Sequence, residues 1–132
     1  MKLLADTSAL LALFLRNDQN HEAASEFARS HPEARLVMTE LVLAEVVTLL
    51  RARAGAERAV AAARDLLRSR RYELIFSDSE ILTGALARMA RFGDKRLSLT
   101  DCASFEIMER LALEAAFTFD RDFRDCGYRM FP

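Results

Sequence analysis

Apolar positions along the chain follow two rhythms. Short hydrophobic runs at 2–6, 35–39, 72–76, 115–119 and 128–131 carry the length and flanks of buried strands. Between them, apolar residues recur at helical spacing over 8–16, 19–30, 40–54, 56–70, 78–92 and 98–113. Strands alternating with helices predict an α/β fold, a three-layer α/β/α sandwich around a mainly parallel sheet. Ser77-Asp78-Ser79-Glu80 and Ser98-Leu99-Thr100-Asp101 both have the spacing of a capping box, and Gly55 and Gly93 fall where helices should stop. No repeat, linker or low-complexity tract divides residues 1–132, so a single domain is expected.

Four acids interrupt this pattern. In "KLLADTSALLALF" (2–14), Asp6 ends an apolar strand and Thr7 and Ser8 open an apolar helix. Helix capping is one reading of that junction; a ligand aimed from the carboxyl end of a strand is the other. Glu45 lies within "LVLAEVVTLL" (41–50), a helix apolar nearly all round and expected to be largely buried. A charge there needs a partner, either Arg51, Arg53 or another arginine, or a metal ion. Asp101 in "LSLTDCASF" (97–105) fits the third helical position as a partner of Ser98, and also stands near any site built at strand ends. Asp120 in "AAFTFDRDF" (115–123) repeats the opening pattern of an apolar strand closed by Asp, with Asp122 two positions on. Glu40, in the first turn of its helix, suits the helix dipole and receives no catalytic role.

Composition narrows the chemistry. The chain has 132 residues, 52% hydrophobic and 30% charged, which excludes disorder. No apolar run reaches the ~18 residues of a membrane span, and the amino terminus lacks the features of a signal peptide, so the cytoplasm is the expected compartment. Cys102 and Cys126 are read as free thiols. His21 and His31 fall in a polar, exposed stretch without zinc-ligand spacing. The net charge of −1 hides an asymmetry: of 19 basic residues all but Lys2 and Lys95 are Arg, and seven lie between Arg51 and Arg71. Guanidinium groups in such a run suit phosphate, or simply a solvated helical face.

Carboxylates gathered in one place repel, by roughly 4 kcal/mol for a pair about 4 Å apart at an effective dielectric near 20. A hard cation resolves this, and an oxygen-only donor set selects Mg²⁺ or Mn²⁺. Such an ion takes further ligands from phosphate and activates water, so the implied reaction is phosphodiester hydrolysis.

With these motifs in this order, the chain resembles the PIN-domain ribonucleases, in particular VapC-type toxins of toxin–antitoxin pairs. The resemblance spans essentially the whole chain. It implies that Asp6, Glu45, Asp101 and Asp120 form an acidic quartet, that Thr7 or Ser8 supports the first Asp, and that Asp122 is a further metal-site residue competing with Asp120 for one role. It also implies Mg²⁺ or Mn²⁺ dependence, an RNA substrate cut by in-line attack of water to leave 5′-phosphate and 3′-hydroxyl ends, a homodimer, and a cognate antitoxin laid over the site. A non-catalytic RNA-binding or scaffold member is the alternative. A phosphoryl-accepting receiver domain fits poorly, because Lys95 lies in a loop and the run at 72–76 ends in Ser77-Asp78.

Overall fold

In a computed structural model describing residues 1–132, the five strands are β1 (Lys2–Ala5), β2 (Arg35–Thr39), β3 (Tyr72–Ile75), β4 (Ala115–Phe117) and β5 (Arg129–Phe131). They form one sheet in the order β3-β2-β1-β4-β5, every pair parallel. The helices are α1 (Thr7–Phe14), α2 (His21–Ser30), α3 (Glu40–Ala54), α4 (Ala56–Arg68), α5 (Ser79–Arg91), α6 (Leu99–Arg110) and α7 (Asp122–Asp125).

Strand pleating sends alternate residues to opposite faces, and this builds two cores. Leu3, Ala5, Leu36, Met38, Ala115 and Phe117 point into one, with residues of α1 to α4. Leu4, Val37 and Ala116 point into the other, with α5, α6 and Phe123. The three central strands thus read as unbroken apolar runs because both faces are covered. The expected three-layer sandwich is the observed one.

Local chemistry moved several boundaries. β1, β3 and β4 stop before Asp6, Phe76 and Phe119, although the Asp6 amide still donates to the Phe117 carbonyl of β4 at 3.0 Å. Asp6 is the N-cap of α1, which starts at Thr7 and ends at Phe14 rather than running 8–16. α4 and α6 end at Arg68 and Arg110, short of 70 and 113, and the four-residue α7 has no periodicity to announce it. The cap of α5 is Asp78, accepting from the Ile81 amide at 2.8 Å, instead of a Ser77–Glu80 box. Ser77 is diverted because its amide donates to both carboxylate oxygens of Glu40, at 3.0 and 2.8 Å. The Ser98–Asp101 box is present in both directions, each bond 3.0 Å. Ser98→Ala should therefore lower stability by about 1 kcal/mol in urea unfolding, the usual effect of losing such a cap.

α3 departs from its expected burial. Val42, Val46 and Leu50 are buried, whereas Ala44 and Thr48 are exposed and Leu41, Leu43, Val47 and Leu49 only partly covered. The histidines depart in the other direction. Both are half-buried: His21 Nδ1 lies 2.7 Å from the Ala12 carbonyl, and the His31 ring stacks on Phe27. Cys102 and Cys126 are free thiols, and no helix is long and apolar enough to cross a membrane.

Candidate active site

The sheet order places β1 between β2 and β4, so the connection leaving β1 runs toward β2 and the one leaving β4 runs the opposite way, toward β5. Ligand sites of open parallel sheets lie at that switch point, outside the carboxyl ends of the strands. Asp6 follows β1 there, and Asp120 follows β4. α3, entered directly from β2, carries Glu45 near its start, and α6 brings Asp101 in its first turn.

Asp6 is the deepest of the four, only 3% exposed. Its Oδ2 accepts from the Ser8 hydroxyl at 2.8 Å and from the Thr118 hydroxyl at 3.0 Å, with the Ser8 amide at 3.4 Å. Burial pushes its carboxyl up to about 6 from an ordinary 3.8; the hydroxyl bonds oppose this, and the nearby charge of Asp101 adds to it. Asp101, half-buried, is also raised, by burial first and then by the charges of Asp120 and Glu45, against the lowering effect of its two Ser98 bonds. Asp101 therefore lies within electrostatic reach of Asp6, Asp120 and Glu45.

Their carboxylates are not drawn up into a ready-made three-ligand set; each takes a local hydrogen-bond donor. Glu45 accepts from the Thr7 hydroxyl at 2.7 Å and makes no ion pair with Arg51 or Arg53, so the salt-bridge reading of that residue is set aside. Asp120 Oδ1 accepts from the Asp122 amide at 2.9 Å, which makes Asp122 a backbone support for Asp120 in this arrangement.

The two hydroxyls after Asp6 divide the work. Ser8 serves Asp6 and also accepts from the Phe119 amide at 3.0 Å, stitching α1 to the end of β4; Thr7 serves Glu45. Thr118 is the residue that sequence reasoning passed over. Fully buried, it donates to Asp6 and accepts from the Asp120 amide at 2.9 Å, so one hydroxyl ties two of the acids together. The available signal was a lone polar residue inside the apolar run Ala115–Phe119 of the sequence, where a buried hydroxyl needs a partner. Thr118→Val keeps the shape and strands the Asp120 amide, so it should destabilise by about 1–3 kcal/mol in chemical denaturation.

The donor set consists of carboxylate and hydroxyl oxygens, without the Cys or His ligation that zinc favours. That chemistry fits a hard divalent cation, and the elevated carboxyl of Asp6 marks the charge such an ion would neutralise.

Known proteins resemble this chain in sequence and in fold. The family model for the PIN domain matches residues 3–127. The chain is 34% identical over 128 residues to the 23S rRNA-specific endonuclease VapC20 of Mycobacterium tuberculosis, covering 96% of this chain and 95% of that protein. It is 30% identical over 119 residues to Ribonuclease VapC26 of the same organism, covering 90% and 87%. The crystal structure of VapC20, described as a sarcin-ricin loop cleaving toxin, superposes with a TM-score of 0.89 over 96% of this chain and 95% of that one, at 29% identity. The VapBC2 complex of Rickettsia felis, solved bound to a promoter DNA fragment, has the same fold, with a TM-score of 0.71, 11% identity and coverage of 98% and 97%.

Proposed function

This chain belongs to the PIN-domain family, and from that premise we propose that it is a divalent-metal-dependent endoribonuclease of the VapC type, the toxin of a toxin–antitoxin pair. The observation that carries this reading is the geometry at the carboxyl ends of β1 and β4, where Thr118 ties Asp6 to the Asp120 amide, Thr7 beside Asp6 binds Glu45, and Asp101 is near enough to raise the Asp6 carboxyl.

Asp6, Glu45, Asp101 and Asp120 are the residues that would hold Mg²⁺ or Mn²⁺. When bound, such an ion lowers the pKa of a water and offsets charge on the leaving oxygen. The chain's own groups do the positioning. Ser8 and Thr118 fix Asp6, Thr7 fixes Glu45, and the Asp122 amide fixes Asp120, which supports Asp120 over Asp122 as the ligand of that pair. In the reaction, water adds to phosphorus and the bond to the 3′-oxygen breaks. That oxygen takes up a proton, leaving 5′-phosphate and 3′-hydroxyl ends.

Structured ribosomal RNA is the favoured substrate class, supported by the specificity stated for VapC20. The solved VapBC complex supports a cognate antitoxin as partner. A homodimer acting in the cytoplasm completes the proposal. The test is cleavage of ribosomal RNA with and without EDTA by the wild type and by Glu45→Gln and Asp101→Asn. Cleavage lost on chelation and lowered at least 100-fold in both variants is expected. Binding without product at saturating Mn²⁺ would identify a scaffold protein instead.

A further inference from the structure

A groove of about 620 Å³ opens between the end of α1, the end of α3 and the face of α4. Phe14 and Leu50 help form its apolar wall, and Arg16, Arg53 and Arg58 line it. All three arginines are exposed and none is ion-paired; Asp65 is the one acid at the edge. Three free guanidinium groups in one groove stand out on a chain whose net charge is −1.

Two helices run from the acidic site to the groove. α1 begins beside Asp6 and leads to Arg16; α3 carries Glu45 and, eight residues on, Arg53. At about 1.5 Å of rise per residue, Arg53 lies about 12 Å along the helix from Glu45. A stacked strand advances about 3.4 Å per nucleotide, so the groove sits about four nucleotides from the acids.

Resting on the ribonuclease reading, we propose that Arg16, Arg53 and Arg58 form a phosphate-binding subsite that holds the RNA backbone about four nucleotides from the scissile bond. The physical need is plain. An acidic cluster repels the polyanion it must cut, and a nearly neutral protein offers no general attraction to offset this. Guanidinium forks grip phosphate, and the apolar wall suits a sugar or the face of a base.

The experiment compares the triple variant Arg16→Gln, Arg53→Gln, Arg58→Gln with a control pair, Arg64→Gln, Arg68→Gln, whose arginines also lie on α4 but do not line the groove. Cleavage of ribosomal RNA gives KM and kcat. Gel shift of a synthetic stem-loop RNA, with Asp6→Asn added to each protein, gives the salt dependence of binding. Expected for the triple variant is a KM at least tenfold higher with kcat within twofold. The slope of log affinity against log salt should fall by about two, near the 0.7–0.9 per phosphate contact for three contacts. A KM and slope matching the control pair would overturn the subsite. So would intact RNA binding combined with lost affinity for an acidic amphipathic peptide, which would assign the groove to a protein. A wild type that binds the stem-loop with the full slope and cuts nothing would sink the ribonuclease reading while leaving the binding arm to decide the groove.

Discussion

Asp6→Asn is expected to reduce RNA cleavage by about 10³-fold, roughly 4 kcal/mol of transition-state stabilisation, while making the folded protein more stable. Both effects follow from one environment. The carboxyl of Asp6 is 3% exposed and raised to about 6 from the 3.8 of an ordinary Asp. In the unfolded chain it ionises near 3.8; in the native state it resists ionisation until pH rises past 6. The native state therefore holds the proton more tightly, and its contribution to stability is fully present below about 3.8 and lost as pH rises through 6. At neutral pH the ionised group opposes folding by up to about 3 kcal/mol, taking about 1.4 kcal/mol for each pKa unit. Asn carries no charge, and its amide oxygen can still accept from Ser8 and Thr118. Chemical denaturation at pH 7.5 and pH 5 checks this. Wild-type protein stripped of metal should be more stable at the lower pH, and the variant should lack the part of that gain that belongs to Asp6.

The fold was legible because its central strands are buried on both faces, and continuous apolar runs such as Leu3-Leu4-Ala5 and Leu36-Val37-Met38 admit few other readings. Helix ends were legible where a side chain closes them, as at Ser98–Asp101, and mistaken where tertiary structure intervened. Ser77 resembles a cap in sequence, but Glu40, 37 positions earlier, takes its amide. α3 looked fully buried because composition does not tell how much of an apolar helix its neighbours reach. The candidate acids were recognisable singly, as charges in apolar settings, and their grouping as a quartet came from the resemblance to the PIN-domain ribonucleases. What sequence could not supply was the linkage: the Thr118 hydroxyl joining Asp6 to the Asp120 amide, or the pairing of Thr7 with Glu45 across α1 and α3.

Millimolar Mn²⁺ should raise the melting temperature of the wild type by about 10 °C and that of Asp6→Asn hardly at all. The repulsion among Asp6, Asp101, Asp120 and Glu45 exists only in the native arrangement, so an ion bound there stabilises the native state alone. At a hundredfold excess over the dissociation constant the gain is about 2.7 kcal/mol, and a domain of this size shifts by about 4 °C per kcal/mol. Scanning calorimetry of both proteins, with EDTA and then with Mn²⁺, gives the four melting temperatures needed. The metal-free variant should start above the metal-free wild type, and the order should narrow or reverse once Mn²⁺ is added. A wild type that melts at the same temperature in both buffers would mean that the acids do not act together on an ion.

Binding itself is the most direct measure of whether folding gathers these four side chains into one cation site. Mn²⁺ titrated into the wild type, Asp6→Asn and Asp101→Asn can be followed by the loss of the free-ion signal in electron paramagnetic resonance. Saturable uptake by the wild type, weakened at least tenfold in each variant, is the predicted result. Equal uptake by all three proteins, or none by any, would contradict it.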